Sequence, residues 1–349
     1  MSFDPTVWAW GGFIAFILFM LALDLGVLNR RAHVVSIREA MTFTIACIVL
    51  AIGFSVFLFF AYNRNMADLG LTIDAIDGVR NDGRLAWVKF ITGYLIELSL
   101  SADNVFVMAV LFSYLRVPQE LQHRVLFWGI LGALIMRGVM IIAGASLVSR
   151  YHWVLYVFGA FLIVTAVRLF MAKDGEENAP THPAVLRLIQ RFMPVTTAYH
   201  GSRFLVRIDG RLFLTPLAVA LVFIETTDLV FAVDSIPAIF AITADPFIIF
   251  TSNVFAILGL RSLYFALAGA IEKFRYLRAS LAIILAIVGI KMLTADFLKG
   301  WLGPSANFYL LGLVAAILAG GIIASLMNPV EIVSESQPKQ RSLGETETG

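Results

Sequence analysis

Apolar residues gather into nine blocks, each near the roughly 20 residues that cross a bilayer as a helix: 10–28, 40–62, 87–115, 125–148, 153–171, 213–241, 247–270, 277–297 and 308–327. Short segments of alternating polarity, the signature of a membrane β-barrel, are absent, so the pattern predicts helical spans. Two connections are long and polar. One, 63–83, carries Asp68, Asp74, Asp77 and Asp82; the other, 172–211, carries Pro180, Pro183, Pro194 and a series of arginines. The tail 329–349, rich in Ser, Glu, Thr and Gln, reads as disordered.

Composition agrees with this reading. Hydrophobic residues make up 60% of the 349, charged residues 14%, and the mean hydropathy is +0.87; a soluble domain carries about 25% charged residues. The fold class expected is all-α, a polytopic helical membrane protein. A net charge of +2 is too small to imply a nucleic-acid partner, and none is expected; a single cysteine, Cys47, leaves no disulfide framework. No basic residue precedes the first apolar block, which reads as an uncleaved span. With the N-terminus outside, sixteen Lys and Arg flank the spans on the inside and six on the outside. The positive-inside rule then predicts N-terminus out, C-terminus cytoplasmic and 172–211 as a cytoplasmic loop.

The third block holds an anomaly. Residues 97–104 read Glu-Leu-Ser-Leu-Ser-Ala-Asp-Asn, placing two carboxylates, two hydroxyls and an amide where hydrocarbon is expected. An ionisable group at mid-membrane costs about 2.5–3.5 kcal/mol on the insertion scale, so such groups face an interior and mark function.

The anomaly recurs. Glu97 and Asp103-Asn104 are echoed, at the same spacing, by Asp228 and Asp234-Ser235. Each motif precedes a span with one arginine, Arg137 or Arg261, and then a span ending in a base, Arg168 or Lys291. Three spans per copy force the copies to cross the membrane in opposite directions, the inverted-repeat plan of secondary transporters. The chain divides into 1–84 (two N-terminal spans and a loop), 85–171 (first repeat), 172–211 (polar loop), 212–299 (second repeat), 300–328 (last span) and 329–349 (tail).

Glu97, Asp103, Asn104, Asp228, Asp234, Ser235 and Glu225 form an all-oxygen donor set, suited to hard divalent cations. The five histidines lie at span ends or in loops, which disfavours softer metals. Arg137 and Arg261 are charge-balancing candidates, with fixed architectural pairing as the alternative; Asp24 reads as an interfacial or helix-pairing residue. Positions six apart on a straight helix differ by about 9 Å and 120°. Glu97 and Asp103 therefore share an ion only if the helix breaks near 99–104; otherwise they serve different steps.

The motifs resemble those of the TerC family of integral membrane proteins. Glu-Leu-Ser-Leu-Ser-Ala-Asp-Asn-Val-Phe-Val at 97–107 is similar to its first signature, and Asp-Leu-Val-Phe-Ala-Val-Asp-Ser-Ile-Pro-Ala-Ile-Phe-Ala at 228–241 to its second. The stretches Leu-Asp-Leu at 23–25, Asp-Pro-Phe at 245–247, Thr-Ser-Asn at 251–253 and Leu-Gly-Leu-Arg at 258–261 match as well. The resemblance implies a cation exporter of the plasma (inner) membrane, with Mn²⁺ foremost, and carries metal ligation onto Glu97, Asp103, Asn104, Asp228, Asp234 and Ser235. It also links the family to tellurite resistance and alkaline-pH response. Proton exchange is an extension of this expectation. The alternative is a membrane scaffold or stress-response partner, reached through the 172–211 loop; an intramembrane aspartyl protease fits the motifs less well. No enzymatic activity or resident cofactor is expected; the lipid bilayer and a metal substrate are the partners.

Overall fold

The computed structural model describes residues 5–23, 37–171, 187, 189–191, 193–267, 275–295, 297–298 and 302–327. Asp24 and the tail 329–349 lie outside the described residues, as do the side chains of Asp103 and Arg261. Nine long helices are described: α1 Pro5–Leu23, α2 Ile37–Asn63, α3 Gly83–Tyr114, α4 Gln119–Arg150, α5 Trp153–Met171, α6 Pro216–Phe240, α7 Pro246–Leu267, α8 Arg275–Leu293 and α9 Ala306–Met327. Eight are apolar enough to span a membrane by length and composition. The remaining one, α3, has 32 residues but is less apolar because it carries Lys89, Glu97 and the polar residues that follow. The chain is a polytopic helical membrane protein.

Helix starts follow local chemistry. The Asp82 carboxylate accepts from Leu85 N at 2.8 Å and caps α3. Thr215 caps α6, and Pro216, whose missing N–H costs nothing in a first turn, follows it. Helices α3 to α5 and α6 to α8 pack crosswise: α3 on α7, α4 on α6, α5 on α8, and α3 on α6. The stripe Phe13, Ile17 and Leu21 of α1 is buried, and Phe13 meets the rings of Phe247, Phe250 and Phe255 on α7.

Lipid tails are as apolar as leucine, so close backbone approach through small residues matters more here than hydrophobic drive. A β-carbon at Gly289 of α8 would stand 2.9 Å from the Gly159 carbonyl oxygen of α5 and 2.9 Å from Ile163. Gly289→Leu should therefore cost about 1–3 kcal/mol by overpacking. The control is Gly312→Leu, where a β-carbon meets nothing within 4 Å. Thermal unfolding in detergent should separate the two, with only Gly289→Leu lowering the midpoint.

The polar 172–211 segment is not wholly irregular. Strands β1 Leu205–Ile208 and β2 Arg211–Leu214 pair antiparallel. Asp209 (φ 50°) and Gly210 (φ 78°) form the intervening turn, the two left-handed residues a tight hairpin needs. The hairpin region docks on one end of the bundle: Tyr199 donates to Leu115 O at 2.9 Å and Arg124 to Ser202 at 3.0 Å. This is the hairpin end of the bundle; the opposite end, closed by residues 64–82, is the loop end.

Candidate functional site

Arg137 of α4 is almost fully buried, and it gathers groups from three other helices. Its Nε and Nη2 fork onto the Asp228 carboxylate of α6 at 3.3 and 3.1 Å. Nη1 donates to Glu97 of α3, to Asn253 Oδ1 of α7 at 2.7 Å and, at 3.4 Å, to Ser235 Oγ of α6. Asn253 closes the ring by donating to Glu97 at 3.4 Å. A planar guanidinium with five fixed donors can serve several oxygens at once; an ammonium could not reproduce the fork.

Of the two alternatives for α3, a break near 99–104 or separate roles for its two acids, the break does not occur. The helix runs unbroken through 99–104, and Ser99 donates to Leu95 O at 2.7 Å within it. Pro237 lies inside α6, which continues past it to Phe240. In straight helices the seven-residue spacing faces one way, since seven steps return to within about 20° of the start. Glu97 and Asn104 therefore share a face, as do Asp228 and Ser235, and all four are buried. The six-residue partner is rotated away: Asp234 accepts from Thr165 of α5 at 3.4 Å, one turn before Arg168. Asp234 is thus separate from the Arg137 cluster, against the expectation of one shared site. Asp103 and Arg261, both on described helices, have side chains outside the described residues.

Glu225 sits one turn before Asp228, with its carboxylate over the α4 backbone at Gly132, where a β-carbon would collide with it. A cavity of about 10 Å³, at the threshold for one water, touches Asp228 and is walled by Met108, Leu126, Ile224 and Leu260. The Ser101 hydroxyl, one turn beyond Glu97, is buried without a hydrogen-bond partner. Among the described residues no three His, Cys, Asp or Glu side chains stand together at metal-ligand spacing.

Asn253 is the member of the cluster that sequence reasoning did not select. Its signal is the polar triplet at 251–253 inside an apolar run. Thr251 and Ser252 return their hydroxyls to carbonyls of their own helix, leaving the amide to reach across.

A second polar cluster fills the loop end. The fully buried Lys89 of α3 donates to Asp74 (2.9 Å) and Asn81 (2.6 Å) and lies 2.7 Å from Asp77. Asp74 also accepts from Thr243 and from Ala244 N at 2.9 Å, in the α6–α7 turn. Asn81 and Tyr62 donate to Asp245 at 3.2 and 2.8 Å. Asn307 of α9 donates to Asp77 at 3.1 Å and accepts from Lys291 of α8 at 2.9 Å. Burial alone would raise the Asp74 carboxyl, but Lys89 and the hydrogen bonds from Thr243 and Ile76 outweigh it and hold it below the usual carboxylate value. Asp245 is shifted the other way: burial and the charge of Asp74 raise it despite the bond from Tyr62. Gly70 lets the loop close on this cluster, since with φ +81° a β-carbon there would sit 2.5 Å from Asn81 O.

Comparison with known proteins agrees with this architecture. Residues 83–329 match the model of the integral membrane protein TerC family. An uncharacterized membrane protein of Myxococcus xanthus is 48% identical over 324 residues, 93% of each chain. A protein of Photorhabdus laumondii, provisionally named membrane-bound redox modulator Alx, is 43% identical over 318 residues, 91% of this chain and 94% of its own. An uncharacterized membrane protein of Rickettsia bellii is 35% identical over 322 residues, 90% and 99% of the two chains. No solved structure matches. With its second signature lining the Arg137 cluster and a family model spanning all but the first two helices, the chain belongs to the TerC family of integral membrane proteins.

Proposed function

We propose that this protein exports a divalent metal cation, Mn²⁺ foremost, through the Arg137 cluster, at the interface of two inverted three-helix units, α3–α5 and α6–α8. One observation carries the reading: Glu97 and Asp228, at corresponding positions of the two units, converge on one buried guanidinium. The packing supports the relation between the units, because exchanging α3 with α6, α4 with α7 and α5 with α8 turns the α3–α7 contact into α4–α6 and maps α5–α8 onto itself. Such a site needs a counter-charge when no ion is bound, and Arg137 supplies it. When an ion enters, the guanidinium yields Glu97, Asp228, Ser235 and the Asn253 carbonyl to it, an oxygen set suited to hard cations. Carboxylates that release a metal can take protons, so metal/proton exchange is part of the proposal. The excess of Lys and Arg at the hairpin end supports a cytoplasmic hairpin and an outward-facing loop end in the plasma membrane.

Proteoliposomes loaded with Mn²⁺ test this. Flux should fall to the level of protein-free vesicles in Asp228→Asn, and Asp234→Asn, which spares Arg137, should slow it. Unchanged flux in both, or none in the parent, overturns transport. A second reading, a membrane-bound sensor or scaffold, is favoured by the engagement of Glu97 and Asp228 with Arg137 and by the lack of a three-carboxylate group among the described residues. It predicts that the same substitutions change partner recruitment but leave cellular manganese content alone. The redox role in the relatives' name finds a single cysteine here, too few for an internal disulfide.

A further inference from the structure

We propose that the Lys89 cluster is the gate of the loop end, an ionic latch that seals this mouth and opens when the two three-helix units move apart. The proposal rests on the transport reading for its purpose, and on the following geometry for its location.

The latch lies on the loop-end side of the Arg137 cluster. Lys89 precedes Glu97 by eight residues on α3, and Asp245, just before α7, precedes Asn253 by eight. Eight residues of helix rise about 12 Å. The two polar clusters therefore lie at successive levels of the same pair of helices, and an ion leaving the inner cluster toward the loop end reaches the level of the outer one.

Its bonds also join what opening must separate. Lys89 and the 64–82 loop belong with α3, whereas Thr243, Ala244, Asp245 and Lys291 belong to the second unit. Relative movement of the units breaks Thr243 and Ala244 from Asp74 and Asn81 from Asp245, and it loosens the Asn307 bridge between Asp77 and Lys291. All of these contacts are polar. An apolar plug of equal volume would hold a permanently closed end at least as well, because buried ion pairs recover little more than their desolvation cost. Polar partners, by contrast, can be exchanged for water or for a passing cation. Space for that exchange lies at the flank, in a cavity of about 30 Å³ walled by Ile76, Asp77, Lys291 and Asn307, which is room for a water molecule or more.

The test reads accessibility, which needs no transport. In a Cys47→Ser background, Ser252→Cys places a near-isosteric thiol beside Gly93 of α3, between Lys89 and Glu97, where the native hydroxyl is buried. A membrane-impermeant thiol reagent added at the loop end of reconstituted protein should label it slowly. Lys89→Met with Asp74→Asn and Asp77→Asn, which removes the three charges that meet at Lys89 and keeps Asp245 and Lys291, should raise that rate about tenfold or more, equivalent to weakening the closed state by about 1.4 kcal/mol. Should that variant not fold, Asp77→Cys with Asn307→Cys gives the opposite test. The Asn307 amide nitrogen and the Asp77 carboxylate oxygen stand 3.1 Å apart, a gap that a short bifunctional thiol reagent spans by forming a disulfide at each end; that disulfide cross-link should abolish residual labelling and Mn²⁺ flux, and reduction should restore both. Labelling that ignores both the neutralised latch and the disulfide overturns the gate while leaving transport standing. Labelling that responds in protein with no Mn²⁺ flux upholds the gate and overturns the transport reading.

Discussion

Arg137→Met should cost about 3–5 kcal/mol of stability, the penalty for removing one partner of a buried ion pair and leaving the other charge in place. Here two charges are stranded, since Glu97 and Asp228 both lose their counter-ion and Asn253 loses its donor. The informative comparison is the combination Arg137→Met, Glu97→Gln, Asp228→Asn. It removes all three charges while keeping the shapes of the two acidic side chains, and should regain most of the loss, because neutral groups bear a much smaller desolvation cost. Arg137→Lys should fall between the two: it keeps the charge but cannot fork onto Asp228 while reaching Glu97 and Asn253. Thermal unfolding in a single detergent checks the series. A triple variant no more stable than Arg137→Met would show that Arg137 acts through packing alone.

The second large effect is expected at Asp74. This carboxylate is the acceptor for Lys89, Thr243, Ala244 N and Ile76 N, and at 3.4 Å for Asn81, so Asp74→Leu leaves a buried ammonium with Asp77 as its one carboxylate and orphans the Thr243, Ala244 and Ile76 donors. The loss at neutral pH should again be about 3–5 kcal/mol. Its pH dependence has a definite sign. The folded-state pKa is depressed below the unfolded value of about 3.9, so the charged form is what folding favours. The contribution is therefore complete above about pH 4 and is lost as pH falls through the folded value. Asp245, raised by burial, works in the opposite sense and gains stability on protonation. Asp74→Asn should flatten the acid limb of a stability–pH curve measured in detergent; an unchanged limb would remove Asp74 from the account.

Much of this was legible before any coordinates, and the boundary has a physical cause. Spans could be read because a helix in lipid must be apolar over about 20 residues, a local property. Glu97, Asp228 and Arg137 stood out for the same reason: each breaks that local rule. Their pairing did not, because Arg137 meets groups on three other helices, up to 116 positions away for Asn253. The six-residue repeat drew attention to Asp103 and Asp234, yet in unbroken helices it is the seven-residue spacing that shares a face. The 63–83 loop read only as a long polar connection with four aspartates; the burial of Asp74 within it depends on Lys89 and Thr243, which no local pattern links to it. The hairpin carried a readable signal, the Asp-Gly pair at 209–210, within a segment whose prolines and arginines suggested only a polar connection.

The backbone contact between Gly159 and Gly289 has a mechanical consequence. Two helices touching this closely are not readily drawn apart without losing their packing, but they can turn about the point of contact. Gly159 lies six residues from the loop end of α5 and twelve from the other, or about 9 Å and 18 Å along its axis. The two helices thus form an unequal lever with its fulcrum near the loop end. A given angle of turn displaces the hairpin end of α5 about twice as far as the latch end, so a movement wide enough to admit an ion at one mouth is about half as large at the other.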